Sequence, residues 1–115
     1  MTSNKATIEK YMDAFRKADH AQILSCLTED VEWVIPGAFH LTGKIAFDKE
    51  IENDQFVGKP LITVTRITEE NDVVVAEGSV RTRKKDGTVL NLAMCDVFDM
   101  RAGKIKRVVS YLMPT

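Results

Sequence analysis

The residue in this chain best placed to do chemistry is a carboxylate in apolar surroundings. From Thr88 to Met100 the even positions read Leu90, Leu92, Met94, Asp96, Phe98 and Met100, apolar except at Asp96. Burial disfavours a charged carboxylate and raises its pKa unless a cation or several donors answer it. Held neutral, Asp96 can donate a hydrogen bond to a ligand carbonyl. The alternative is a structural anchor bonded to Tyr11, Trp33 or a backbone group. Tyr11 lies between Ile8 and Phe15 on an apolar stripe, so it is either a second donor or a core residue with a satisfied hydroxyl. His40 is the candidate general base, with an unperturbed pKa near neutrality. Its place just after Pro36-Gly37 suits a plain surface histidine equally well. His20, at a helix start, reads as solvent-exposed.

Other chemistries leave no signal. No pair of histidines or acids has metal-ligand spacing, so neither a metal nor a cofactor is expected. Neither Cys26 nor Cys95 stands in a nucleophile motif, and there is no Gly-rich phosphate loop. Arg81, Arg83, Lys84 and Lys85, with Lys104, Lys106 and Arg107, form a basic cluster without interleaved aromatics. They read as solvated strand edges rather than a nucleic-acid site. A formal net charge of −1 gives no pull toward nucleic acid or anionic membrane.

These residues need elements to position them. The 115 residues, 44% hydrophobic and 29% charged, are enough for one ordinary globular core and are read as a single domain over 1–115. Two cysteines far apart make no disulfide framework, and Met1 to Arg16 has no uninterrupted apolar run. A cytoplasmic protein with reduced thiols is expected. Ile8, Tyr11, Met12, Phe15 and Ala18 follow helical spacing, with Ser3 or Asn4 as the cap. Asp19 caps a second, short helix, with Gln22 three residues on, and Ile23, Leu24 and Leu27 face inward. Thr28-Glu29-Asp30 reads as a turn, Val31–Ile35 as a strand stopped by Pro36-Gly37, and Ala38–Gly43 as a loop. Lys44 to about Asn53 is helical, closed by Gly58-Lys59-Pro60. Strands follow over Leu61–Thr68, Val73–Arg83, Thr88–Met100 and Ile105–Met113. Asp86-Gly87 predicts a type I′ hairpin turn. Helices first and an antiparallel meander second argue α+β, with the helices on one face of a curved sheet. The strand 88–100 has two apolar faces, so it is expected to be covered on both sides.

Ile8-Glu9-Lys10-Tyr11, Ala18-Asp19, Leu27-Thr28-Glu29-Asp30-Val31-Glu32-Trp33, Pro36-Gly37, Leu41-Thr42-Gly43, Asp96-Val97-Phe98 and Gly103-Lys104-Ile105 run in order along almost the whole chain. Together they resemble the NTF2-like superfamily, in its SnoaL-like and ketosteroid-isomerase-like branch. The resemblance implies a cone-shaped, cystatin-like sheet, strongly curved and mostly antiparallel, wrapped around N-terminal helices. It also implies an apolar pocket for a small molecule and a homodimer through the outer sheet face, with no nucleic acid or membrane as partner. The pocket walls are expected to be Phe15, Trp33, Ile35, Phe47, Met94, Phe98 and Leu112, beside Tyr11 and Asp96. Ketosteroid isomerases, a system the physical literature uses to illustrate pKa tuning, pair an acid base with a tyrosine and a protonated aspartate. By resemblance the tyrosine falls on Tyr11, the aspartate on Asp96 and the base on Ile35, which cannot accept a proton. Epoxide-hydrolysing relatives use an Asp–Arg–Asp set, for which Arg66 is the cation to consider. The implied function is an isomerase- or polyketide-cyclase-like enzyme acting on a small carbonyl compound. The alternative is a non-catalytic ligand-binding or dimerisation module.

Overall fold

A computed structural model describes residues 3–115. Three helices and six strands alternate as α1 (Ser3–Lys17), α2 (His20–Ser25), β1 (Leu27–Ile35), β2 (Phe39–Thr42), α3 (Lys44–Ile51), β3 (Phe56–Glu70), β4 (Val73–Lys84), β5 (Val89–Arg101) and β6 (Lys104–Pro114). The strands form one sheet in the order β2-β1-β6-β5-β4-β3. β3 to β6 run as the expected antiparallel meander, and β1 returns to lie parallel to β6.

The sheet is bent by irregular pairing. Register shifts fall between Val57 and Leu61 and between Val64 and Arg66 on β3, between Leu27 and Glu32 on β1, and between Asp99 and Met100 on β5. Each such bulge bends and twists its strand locally. The resulting hollow takes α1, whose Ile8, Tyr11, Met12 and Ala14 are buried. On β5 the even residues Met94, Asp96, Phe98 and Met100 are buried, while Ala93, Cys95 and Val97 are half-buried on the outer face. The two faces of this strand therefore differ in the direction its alternation predicts.

Several local expectations are corrected. Thr28-Glu29-Asp30 is strand, not turn: it lies within β1, at the register shift, with Thr28 donating to Asp30 at 2.8 Å. Leu27 opens β1 rather than ending α2. Phe39–Thr42, read as loop, is the edge strand β2, zipped to β1 by pairs from Glu32↔Thr42 to Ile35↔Phe39. Gly58-Lys59-Pro60 does not close a helical region but sits in β3, where the pairing with β4 is interrupted; proline is tolerated on such an edge. Ala18 follows α1 at φ +53 rather than extending its apolar face. Ser3 already belongs to α1, so its capping position lies outside the described residues. Asn4 is no cap: it is buried in the helix and donates to Glu69 and Asp72. Asp19 does cap α2, accepting from Gln22 N, but the Gln22 side chain turns to the Lys10 carbonyl.

The turn chemistry is also redistributed. The Asp86-Gly87 loop spans four residues, and only Gly87 has positive φ, so it is not a type I′ turn. Two-residue turns with both central residues at positive φ occur instead at Asn71-Asp72 and Ala102-Gly103.

Candidate ligand-binding cleft

A cleft of about 460 Å³ opens between α1, the end of α3 and the concave face of the sheet. Its depth can be read from burial. Tyr11, Trp33, Met94, Asp96 and Ser110 are buried, whereas Glu52, Phe56 and Lys59 are exposed at the mouth. Phe15, Ile35, Ile62, Val80, Leu92 and Leu112 supply the apolar wall between.

The helical spacing of α1 turns Tyr11 and Phe15 to this space. Pleating does the same for Trp33 and Ile35 on β1 and for Met94 and Asp96 on β5. Phe47 and Phe98, expected as walls, do not reach the cleft. Both are fully buried behind it: Phe47 stacks on Trp33 with ring centroids 4.6 Å apart, and Phe98 meets Tyr11 edge-on at 5.4 Å. They hold the two lining aromatics in place.

Asp96 is 7% exposed, and its Oδ1 has no hydrogen-bond partner. Burial pushes its carboxyl up to about 6, against a smaller opposing effect of the Ser110 hydroxyl. Ser110 stands directly across from Asp96 on β6 and accepts the Trp33 indole N–H at 3.2 Å. Tyr11 is held well above the usual phenol range, by burial first and by the Asp96 charge second. Among the described residues its hydroxyl has no hydrogen-bond partner. Both donors that the sequence picked out therefore border one cavity, and each keeps capacity for a ligand.

The other candidates lie elsewhere. His40 pairs with Val34 on the face of β1 opposite to Trp33, is 56% exposed, and bonds Glu32 at 3.0 Å. It does not line the cleft. Arg66 points outward and bonds Glu77, so no Asp–Arg–Asp set forms around Asp96. His20, expected to be merely exposed, bridges Asp48 at 2.6 Å and Glu52 at 2.8 Å, and these carboxylates raise its pKa. Through Glu52 it ties α2 to the rim of the cleft. Arg81, Arg83 and Lys84 on β4 and Lys104, Lys106 and Arg107 on β6 are exposed, but these strands lie inside the sheet, whose edges are β2 and β3, so the basic residues do not guard a strand edge. Ser110, which no local sequence pattern marks, also lines the cleft.

A helix held in a strongly bent sheet, with one acid in an apolar hollow, defines a protein of the NTF2-like fold, the class to which a structure from Burkholderia pseudomallei K96243 belongs. That structure superposes with a TM-score of 0.88 at 20% identity, over 98% of this chain and 92% of that one. The chain belongs to the SnoaL-like domain family, whose model matches residues 8–108. TerC, co-crystallised with polyporic acid, superposes with a TM-score of 0.86 at 24% identity, over 95% of this chain and 90% of that one. An epoxide hydrolase of the LEH-like type from M. tuberculosis gives 0.85 at 16% identity, over 96% and 83%. At these identities the likeness is one of fold. No match was found among curated proteins. No helix among the described residues is long and apolar enough to cross a membrane.

Proposed function

We propose that this domain binds a small, largely apolar carbonyl compound in the cleft and activates it for cyclase-like chemistry. Tyr11 and protonated Asp96 would donate to the carbonyl oxygen. The observation that carries this reading is the unpartnered Asp96 Oδ1, buried at the inner end of an apolar cleft. A buried carboxyl oxygen left without a partner costs stability, which a ligand able to accept the acid's proton can return. The polyporic acid held by TerC, of the same fold, supports a ligand of this broad kind.

Cyclase-like chemistry fits the cleft better than isomerisation. Moving a proton from one carbon to another needs a base, and Ile35 stands where the isomerase resemblance puts it. His40 is on the opposite face of the sheet. A ring closure in which the substrate's own enol attacks its carbonyl needs chiefly an acid at the oxygen. The new carbon–carbon bond forms, the oxygen takes the Asp96 proton, and the enol O–H proton returns to the carboxylate. Non-catalytic binding is the second reading, favoured by the same Ile35.

Ligand binding is testable with 2-acetylnaphthalene and with 2-ethylnaphthalene, which matches its shape but lacks the carbonyl. Trp33, the single tryptophan of the chain, lines the cleft and reports occupancy by its fluorescence. The ketone should bind more tightly, and its affinity should fall as pH rises through about 6, where Asp96 loses its proton. At pH 5 Tyr11→Phe and Asp96→Asn should each weaken ketone binding by about 1–3 kcal/mol, and the Asn chain should lose the pH dependence. Equal affinity for the two probes at pH 5 would rule the carbonyl out.

A homodimer through the outer sheet face belongs to the same proposal. Tyr111 and Met113 on β6 are 52% and 65% exposed, opposite the half-buried Cys95 and Ala93 of β5. Light scattering should give a dimer mass that Tyr111→Glu reduces to the monomer. The free thiols Cys26 and Cys95 support a cytoplasmic setting.

A further inference from the structure

Ser110 contributes to the cleft without being able to titrate, and its surroundings restrict what its single hydrogen can do. A serine hydroxyl has one proton and two lone pairs. The Trp33 Nε1–H, 3.2 Å away, occupies a lone pair on Oγ. Ser110 is itself buried at the inner end of the cleft, and a hydrogen bond from its hydroxyl acts on the Asp96 carboxyl. The residue directly opposite on the neighbouring strand is Asp96. Asp96 Oδ1 is without a partner, which leaves the other oxygen to receive it.

We propose that Ser110 is a positioning residue for Asp96, relaying a hydrogen bond from the Trp33 indole to one carboxylate oxygen and leaving the other unclaimed for the ligand. The inference rests on the reading of Asp96 as the acid that meets the ligand. A donor aimed at a carboxylate stabilises its ionised form, whereas burial opposes ionisation. Ser110 thus lowers the pH at which Asp96 gives up its proton, which eases giving a proton to the substrate. Few other charges compete at this point. α1 brings Tyr11, β1 brings the uncharged Trp33, and β4 places Ala76 across from Asp96. Cys95 lies on the outer face of the same strand, and Glu50, Glu52 and Lys59 line the cleft from α3, its end and β3. A structural serine that merely fills space predicts the opposite behaviour. Its removal would admit water beside Asp96 and ease ionisation.

The experiment is a carbon-13 titration of the Asp96 carboxyl in the ligand-free protein, followed by the pH dependence of 2-acetylnaphthalene binding. The Ser110→Ala chain should show its Asp96 midpoint raised by about one pH unit, and Ser110→Thr, which keeps the hydroxyl, should stay near the starting chain. Should Ser110→Ala not fold, Ser110→Cys places a weaker donor at the same position and should move the midpoint the same way by less. A midpoint that is unchanged or lowered in the folded variant overturns the relay. A raised midpoint with ketone binding that does not follow it upholds the relay and overturns the proposed use of Asp96. When both move together, both readings stand.

Discussion

Replacing Asp96 by asparagine is expected to make the folded protein more stable at pH 8, while weakening its hold on a carbonyl ligand below about pH 6, where the native acid keeps its proton. In the fold the carboxyl titrates near 6, against an ordinary value of 3.8. As pH rises between these values, the unfolded chain releases the proton while the folded chain still holds it. Stability therefore falls across that window and stays low above it. A shift of about two units amounts to roughly 3 kcal/mol at pH 8, to about 0.5 kcal/mol at pH 4, and vanishes only below the ordinary carboxyl value. Asparagine keeps the shape and cannot ionise, but its amide brings donors that the site does not fully satisfy, a cost of about 1 kcal/mol. The net gain at pH 8 should be about 2 kcal/mol, or roughly 8 °C in the unfolding midpoint of a domain this size. Thermal unfolding of both chains at pH 8 and pH 4 measures it. A gain that fails to shrink on acidification would show that Asp96 is not a buried acid paying an ionisation cost. A residue that lowers stability in this way, with an oxygen left unpaired, is understandable if its value lies in what it binds.

Gly78→Ala is expected to do the reverse, removing the fold and the cleft together. Gly78 lies on β4 in line with the inward-facing Val74 and Ala76, where β3 curls over the sheet at its register shift. A Cβ built there would stand 1.8 Å from the Thr63 carbonyl oxygen, 2.8 Å from Thr63 C and 3.0 Å from Val64 Cα. All three are backbone atoms, so no side-chain rotation can relieve the contact, and β3 must move away from β4. The cost should be about 3 kcal/mol or more, at the upper end for an overpacked site. Ile62 on β3 and Val80 on β4 form part of the cleft wall, so surviving folded protein should bind 2-acetylnaphthalene poorly. Urea unfolding provides the measurement. A loss under about 1 kcal/mol would mean that the strands can separate here without penalty, contrary to the closeness of their backbones.

The site was partly legible in the sequence because its acid sits in a strand with clean alternation. A lone carboxylate among Met94, Phe98 and Met100 stands out whatever the sheet does around it, and the helical stripe marked Tyr11 in the same way. Ser110 had no comparable signal. On β6 both Ile105 and Val108 are buried, which strict alternation forbids; the parity changes at the register shift, where Asp99 pairs with Arg107 but Met100 with Ile105. Counting by twos from Ile105 would put Ser110 outside. His40 shows the complementary failure. Its residue type suggested a base, but its position on an edge strand paired to Val34 turned it away from the cleft. Local spacing turns Phe47 and Phe98 inward, but facing inward does not say how deep a side chain lies, and both sit behind the hollow rather than at its surface.

By itself the sequence determined what depends on neighbours along the chain: the helical stripe of α1, the capping of α2 by Asp19, the two unequal faces of β5 and the α+β order of elements. Each is set by local spacing, which repeats every 3.6 or every two residues. Only the tertiary structure decided what depends on bulges and strand neighbours. It put Ser110 beside Asp96, moved the primed turns to Asn71-Asp72 and Ala102-Gly103, and made edge strand of the segment with His40. A one-residue shift reverses which face a strand presents, and such a shift is fixed by the partner strand rather than by the residues that undergo it.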